Sequence, residues 1–191
     1  GLLDGEEISL GLNPLKKDSD GNGIEDNKER IEQEVLYDAK QDDTTSAISK
    51  VKIEMKTAGG LEINTRIEPI KDRDVGCSQV PGIFGDPYEI DTNCEFDNAK
   101  LSFIIDKSQL GDTDFSDLIV LWYDEDKEIF REIETLYDEP EQTLSIQTTH
   151  FSKYLVVDSN KWVQAWKKVF DYENFSSEEN ETYYTSIIFD L

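Results

Sequence analysis

The sequence has few basic residues, one histidine, one methionine and two cysteines among its 191 residues. Lys and Arg number 19 against 43 Asp and Glu, which gives a formal net charge of −24 at pH 7. The acidic residues are spread along the chain, so nucleic acids and anionic membranes are poor candidate partners, because both would be repelled. Divalent cations are good candidates. The charge also indicates high solubility in an extracellular or saline setting.

Long apolar runs and common catalytic motifs are also missing. No stretch is long enough to span a bilayer, and no signal peptide is recognisable, so we expect a monomeric piece of a longer, exported protein without membrane insertion. A hydrolase acting on external substrates is not expected, because there is no second histidine, no Gly-x-Ser-x-Gly motif and no phosphate-binding glycine loop. The apolar fraction is 37%, but an aromatic content of 10% still suffices for a core.

The two cysteines, Cys77 and Cys94, do not have a spacing typical of a metal site. Their even number favours a disulfide bond, and with it an oxidising compartment. The bridge would close a turn-rich loop, a constraint that contributes on the order of 3 kcal/mol to stability in the chain-entropy picture. Two buried free thiols are the alternative.

Residues 18–29 follow the pattern of a calcium-binding loop. Oxygen-bearing side chains occupy its first, third and fifth positions, Gly23 allows the sharp turn at the sixth, and an acidic residue closes the twelfth. Calcium takes about 6–8 hard oxygen ligands, which this spacing supplies from one short stretch. The alternative is an acidic turn that caps a following helix. The expected ligands are Asp18, Asp20, Asn22, the carbonyl of Ile24 (with its side chain facing a core), Asp26 directly or through water, and Glu29 as a bidentate ligand.

The residues before this loop look like the second half of another one. Gly1, Leu2, Asp4 and Glu7 fit the sixth, seventh, ninth and twelfth positions, so Asp4 and Glu7 are weaker candidate ligands. A Gly-Leu-Asn-Pro turn at 11–14 separates the two loops. This order resembles the thrombospondin type 3 repeats of bacterial surface proteins, and the resemblance implies a calcium-stiffened stalk.

The hydrophobic period becomes two in the central part of the chain. Apolar residues alternate with polar or charged residues over 50–56 and 61–68, and Gly59-Gly60 between them suits a hairpin turn. Many short strands with regular turn signals and no convincing helix predict an antiparallel β-sandwich. The other strand candidates are 99–105, 118–123, 129–136 and 143–157.

The only histidine, His150, lies within the last of these runs. Alternate side chains of a strand share a face, so His150 and Ser152 would form a possible base and nucleophile pair. The predicted faces are Thr148, His150, Ser152 and Tyr154 on one side, and Thr149, Phe151 and Lys153 on the other. The candidate catalytic residues are Thr148, Thr149, His150, Phe151 and Ser152.

The Leu-x-Val-x-Trp-Tyr-Asp-Glu stretch at 118–125 and the Thr-His-Phe-Ser stretch resemble the sandwich domains of ankyrins, netrin receptors and a self-cleaving death-domain protein. They are also similar to the autoproteolysis-inducing domain of adhesion receptors. The resemblance implies scission between Phe151 and Ser152. Ser152 Oγ would attack the Phe151 carbonyl, an ester would form by an N-to-O shift, and His150 would transfer the proton. This step needs strain or an oxyanion donor, and the nicked strand would stay bound. In the alternative, His150 bonds neighbouring hydroxyls and Phe151 fills the core.

Apolar residues at helical spacing, including Trp162 and Trp166, predict a helix over 160–170 that covers an open end of the sandwich. Carbohydrate stacking is the alternative role for these tryptophans. The apolar stretch 183–191, which contains Asp190, resembles the first strand of a von Willebrand factor A domain. That resemblance implies a downstream adhesion domain as a partner in the same chain, and a last strand of the sandwich is the alternative.

The sequence thus predicts a mainly β module that is extracellular, either secreted or attached to a bacterial cell surface. It would bind Ca2+ and cleave itself once, with a non-catalytic, calcium-stiffened spacer as the competing prediction. The expected segments are a calcium stalk (1–36, with a helix over 25–36), a linker (37–50), the β-sandwich (51–158), a helix (159–170), and an acidic linker with the adhesion-domain strand (171–191).

Overall fold

A computed structural model describes residues 2–71 and 80–170, with side chains through residue 165. The helices of this part are α1 (Asp4–Ser9), α2 (Ala39–Asp42), α3 (Leu61–Asn64) and α4 (Ser159–Phe170), with short 3-10 helices at Lys107–Gln109 and Phe115–Asp117. Its strands are β1 (Ile31–Asp38), β2 (Ile48–Thr57), β3 (Thr65–Pro69), β4 (Tyr88–Thr92), β5 (Ala99–Ile105), β6 (Leu118–Asp124), β7 (Ile129–Ile133), β8 (Leu136–Asp138), β9 (Thr143–Thr148) and β10 (Lys153–Asp158). None of the described helices is long and apolar enough to cross a membrane.

The strands form two five-stranded antiparallel sheets. Sheet A has the order β1-β2-β5-β9-β8, and sheet B has the order β3-β4-β10-β6-β7. Inward side chains of the two sheets meet in one core, which joins Val51 and Phe103 of sheet A to Tyr88, Val120 and Tyr154 of sheet B. All five of these side chains are fully buried. The predicted mainly β class with antiparallel sheets is confirmed, and the arrangement is consistent with a β-sandwich.

β1 occupies the second half of the segment 25–36 that was predicted to be helical. Its eight residues pair with β2, beginning with Ile31 opposite Thr57. The helix prediction is wrong. The inward face of β1 includes a polar residue, Gln33, so the sequence of this strand does not show the alternation of apolar and polar residues that would indicate a strand. Gln33 is tolerated there because its Nε2 donates to the carbonyls of Thr57 (3.2 Å) and Gly59 (2.7 Å). β1 therefore belongs to sheet A rather than to a stalk or a linker.

The hairpin predicted at Gly59-Gly60 is also wrong. After β2 the chain passes through α3 into β3, which pairs with β4 in sheet B. Both edges of β2 are already filled, by β1 and β5. The predicted strand 129–136 is divided in the same way, between β7 in sheet B and β8 in sheet A. β4 was missed, because it lies in the loop that the cysteines were expected to close.

A second apolar cluster covers the outer face of sheet B. Leu121 of β6, together with Leu155 and Val157 of β10, packs with Trp162 of α4. β10 is therefore buried on both faces, which accounts for its unbroken apolar run. α4 covers this face, and the prediction that the helix covers an open end of the sandwich is wrong. The side chain of Trp166 lies outside the described residues.

Asp158 holds the beginning of α4 against the sandwich. Asp158 is 3% exposed, and its carboxylate accepts hydrogen bonds from Lys161 N (3.0 Å) and Thr113 Oγ1 (2.9 Å). Lys161 Nζ donates to Thr113 Oγ1 at 2.7 Å and pairs with Asp112 at 2.8 Å. Asp158 N also donates to the carbonyl of Gly82 at 2.8 Å. Asp158 thus caps the helix and ties it to two loops, to one through its buried carboxylate and to the other through its backbone N.

Two predictions from the sequence fall partly or wholly beyond the described residues. Cys94 is half-buried, and its expected partner Cys77 is not among the described residues, so the disulfide stays a prediction. The adhesion-domain strand 183–191, with Asp190, also lies outside them.

Candidate functional site

The loop 18–29, which we call the candidate calcium loop, is folded around the carboxylate of Asp18. Its two oxygens accept backbone hydrogen bonds from Gly21 N (2.7 Å) and Gly23 N (2.8 Å). The bond from Gly23 is the main reason why the pKa of Asp18 lies below its usual value. Gly21 and Gly23 have φ angles of 80° and 92°, which glycine adopts without steric strain. The glycines therefore let the loop close over its first acidic residue.

Three further predicted ligands lie side by side in this loop. Asn22 Nδ2 donates to Asp20 Oδ2 at 3.0 Å and to Glu29 Oε1 at 2.8 Å. Glu29, the last acidic residue of the loop, therefore lies next to the residues in the middle of the loop. Asn22 Oδ1 accepts from Ile24 N at 2.7 Å. Across residues 2–71 and 80–170, no group of three or more His, Cys, Asp or Glu side chains is arranged to hold a metal ion. A cation in the loop would therefore also need the oxygens of Asn22 and of the Ile24 carbonyl.

Asp26 and Ile24 are placed differently from the sequence prediction. Asp26 is 3% exposed, and its two carboxylate oxygens accept hydrogen bonds from Ser19 N and Ser19 Oγ, each at 2.8 Å. Its backbone N donates to the carbonyl of Lys17 at 2.9 Å. Asp26 therefore fastens the two arms of the loop together. The side chain of Ile24 is 48% exposed, so the expectation that it faces a core is wrong.

Asp4 and Glu7, the candidate ligands of the partial first loop, both lie in α1. Asp4 is exposed, whereas Glu7 is buried. Glu6 also contacts the sandwich, and the calcium-loop pattern passed over it because that pattern assigns no ligand to its position. Glu6 Oε1 accepts from Asn64 Nδ2 at 3.1 Å and from Gly60 N at 3.4 Å. Glu6 thus joins the N-terminal helix to α3.

The His-Phe-Ser stretch does not continue a strand. β9 ends at Thr148 in sheet A and β10 begins at Lys153 in sheet B, so residues 149–152 cross between the sheets. The single strand predicted over 143–157 is therefore wrong, and so is the alternation of faces deduced from it. We call residues 149–152 the crossover.

Hydroxyl groups hold the crossover at the carbonyl of His150. Thr148 Oγ1 donates to this oxygen at 2.5 Å and Tyr154 OH donates to it at 2.8 Å. His150 N is 3.3 Å from Thr148 Oγ1. Tyr154 is buried, and burial raises its pKa to about 12, so it remains a hydrogen-bond donor at neutral pH. The last residue of β9 and an inward residue of β10 thus fix the bend between the sheets.

The imidazole and the serine hydroxyl have different partners. The His150 ring packs edge-on against Trp122, with ring centroids 4.6 Å apart. Ser152 Oγ donates to the carbonyl of Tyr123 at 2.6 Å, and the Ser152 carbonyl accepts from Ile90 N at 3.1 Å. Within the described part of the chain, no hydrogen bond joins the His150 ring to Ser152 Oγ. Both residues nevertheless border one surface cleft of ≈ 470 Å³ beside the β6–β7 turn.

The chemistry required for scission at Phe151–Ser152 is only partly present. The two hydroxyl donors lie on the carbonyl of His150, one residue before the carbonyl that Ser152 would attack. Among the described hydrogen bonds none is donated to the Phe151 carbonyl, where negative charge would develop. Positive φ angles at non-glycine residues of the described part occur at Glu128 and Gln142, so none occurs in the crossover. The ring of Phe151 packs on Phe96 with centroids 4.8 Å apart.

Comparisons of the chain with protein-family models, with curated proteins and with solved structures found no match in any of the three. The function proposed below therefore rests on the sequence patterns and on the geometry described above.

Proposed function

We propose that this protein is a calcium-braced β-sandwich that acts as a non-catalytic spacer in an extracellular surface protein. The observation that carries this proposal is the candidate calcium loop, which brings Asp20, Asn22 and Glu29 together immediately before β1. The formal net charge of −24 supports it, because bound cations reduce the repulsion within so acidic a chain.

The residues of the loop match the oxygen chemistry that calcium prefers. The Asn22 amide group lies between the carboxylates of Asp20 and Glu29, and a cation at that place would replace this donor and relieve their repulsion. Asp18, the Asn22 Oδ1 and the Ile24 carbonyl would complete the set. Asp26 is buried and tied to Ser19 by two hydrogen bonds, so its contact with the ion would pass through water, as is common at the ninth position of such loops.

The loop is connected to the sandwich by one residue. Arg30 follows Glu29 and precedes β1, and its guanidinium pairs with Asp97 at 2.7 Å on the turn before β5. The pair is exposed, so it contributes at most about 1 kcal/mol. Covalent continuity with β1 matters more, because a rigid loop limits fraying at the first residue of this strand.

Calcium removal tests this function by thermal unfolding and limited proteolysis. At a free calcium concentration of roughly 100 times Kd, binding would stabilise the folded state by about 2.7 kcal/mol, which chelator removes. Asp20→Asn and Glu29→Gln should abolish calcium binding in isothermal titration calorimetry, whereas Asn27→Ala, an exposed position of the same loop outside the ligand set, should leave it intact. An unchanged melting temperature and unchanged protease sensitivity in chelator would contradict the proposal.

Self-cleavage at Phe151–Ser152 is the second candidate function. Two observations favour it: this peptide bond lies outside both sheets, and His150 and Ser152 border the same cleft. Scission would require Ser152 Oγ to leave the Tyr123 carbonyl and the His150 ring to leave Trp122. The spacer function needs no such rearrangement, which is why we rank it first.

Denaturing mass spectrometry of the purified chain distinguishes the two functions. Self-cleavage would yield fragments 1–151 and 152–191, and both would disappear in Ser152→Ala and His150→Ala. Gln147→Ala serves as the matched control, because this exposed residue of β9 lies outside the crossover and its side chain takes no part in the hydrogen bonds at the bend. A single intact mass after long incubation would eliminate self-cleavage.

A further inference from the structure

The register of sheet A shows which strand ends lie together. Ile31, the first residue of β1, pairs with Thr57 at the end of β2. At the same end of the sheet, Met55 pairs with Ala99, the first residue of β5, and Ala99 pairs with Thr148, the last residue of β9. The chain therefore enters sheet A at the end where β9 finishes, which we call the entry end.

β10 begins at the entry end and finishes at the opposite end, which we call the exit end. In the crossover that leads into β10, Phe151 packs on Phe96, which lies just before β5. From there β10 runs along β6 until Asp158 pairs with Leu118. Leu118 begins β6, which the chain reaches from the far end of β5 through the two 3-10 helices. Asp158 therefore lies at the exit end, where α4 starts.

We infer that this sandwich carries mechanical tension along its strands. The inference rests on the spacer role proposed above, since a spacer in a surface protein transmits force between its neighbours. Tension enters β1 at Ile31 and leaves β10 at Asp158, at opposite ends of the two sheets. Hydrogen bonds between antiparallel strands are perpendicular to the strands, so this load shears them. All the hydrogen bonds between two paired strands are then strained together. A load that pulls the two strands apart from one end would instead break these hydrogen bonds one at a time.

β1 is the strand that yields first under such a load. As an edge strand it pairs with β2 alone, through eight residues, whereas β10 pairs with β4 on one side and β6 on the other. Two cross-strand ion pairs add to the β1–β2 contact, Glu34 with Lys52 at 2.9 Å and Glu32 with Lys56 at 3.5 Å. The exit strand is better anchored, because α4 is capped by the buried Asp158.

Single-molecule force spectroscopy in calcium tests this inference on the full chain. In the first geometry the chain is pulled by its two termini, which loads β1 and β10 in shear. In the second, it is pulled by its N-terminus and by a clickable unnatural residue replacing Lys56, an exposed residue opposite Glu32 near the entry end of β2. The second geometry peels β1 from β2, starting at Ile31. The same Lys56-substituted chain, with the same flanking segments and buffer, is used in both geometries, so that loss of the Glu32–Lys56 pair affects both equally.

The terminal geometry should require a severalfold higher rupture force than the Lys56 geometry, and unfolding of Ile31 to Asp158 should release about 400 Å of contour length. Equal forces, or a lower force in the terminal geometry, would overturn the inference. Chelator separates it from the calcium proposal. If chelator leaves the melting temperature unchanged and the rupture force stays higher in the terminal geometry, only calcium bracing is refuted. If chelator lowers the melting temperature and the two geometries rupture at equal force, only load bearing is refuted.

Discussion

Replacing Asp158 with alanine should loosen the exit end of the sandwich. The substitution removes the cap of α4, which is worth about 1 kcal/mol. It also removes one hydrogen-bond partner of Thr113, whose side chain is buried, and an unsatisfied buried hydroxyl costs about 1–3 kcal/mol. Lys161 still reaches Thr113, which keeps the second cost near the lower end of this range. We expect a total loss of about 2–3 kcal/mol of unfolding free energy.

The matched control is Asp112→Ala, because Asp112 also pairs with Lys161 but has a side chain that is 87% exposed. Its loss should cost at most about 1 kcal/mol. The assay is urea unfolding followed by circular dichroism and tryptophan fluorescence, since Trp162 of α4 packs on sheet B. At about 2–4 °C per kcal/mol, Asp158→Ala should also lower the melting temperature by roughly 4–12 °C. If Asp158→Ala costs no more than Asp112→Ala, the buried carboxylate does not secure α4.

Three further variants test other parts of the fold. Gly82→Ala should destabilise the fold more than Gly111→Ala. Both glycines have positive φ angles (79° and 61°), but only at Gly82 would an added Cβ lie 2.7 Å from a backbone oxygen. Equal losses of unfolding free energy in urea would contradict this. Burial raises the pKa of Tyr154 to about 12, so the unfolding free energy should fall as pH rises from 10 to 12, and less steeply in Tyr154→Phe; identical slopes would refute this contribution. The hydrogen bond from Lys40 holds the pKa of Asp106 at about 2, so its stabilisation is complete above about pH 4 and is lost as pH falls toward 2. Lys40→Met should flatten acid unfolding in that window, and an unaltered profile would count against the pair.

The β-strands that could be predicted from the sequence are those with clear local alternation. Val51, Ile53 and Met55 face the core in β2, as their spacing indicated, and β5 coincides with the predicted run 99–105. β1 could not be recognised in this way, because Gln33 occupies its inward face and is satisfied by groups distant in sequence. Hydrophobic patterning reports burial, and it fails where a buried side chain is polar and hydrogen-bonded.

The His-Phe-Ser stretch shows a different limit. The run 143–157 is rich in β-forming residues throughout, so nothing in its composition marked an interruption. Its first half pairs with β5 and its second half with β6, in different sheets, and the chain must bend between them. Thr148 and Tyr154 satisfy the His150 carbonyl at that bend. The positions of the imidazole and the Ser152 hydroxyl followed from this change of sheet.

The sequence by itself determined the class of the fold and the oxygen-rich loop before β1. Both are local properties: alternation along a strand selects which side chains are buried, and loop spacing brings Asp20, Asn22 and Glu29 together within a few residues. Only the tertiary structure decided which strands are neighbours, where the chain changes sheets and which face α4 covers. Strand pairing uses backbone groups that nearly all residues share, so partners are chosen by the packing of the whole core.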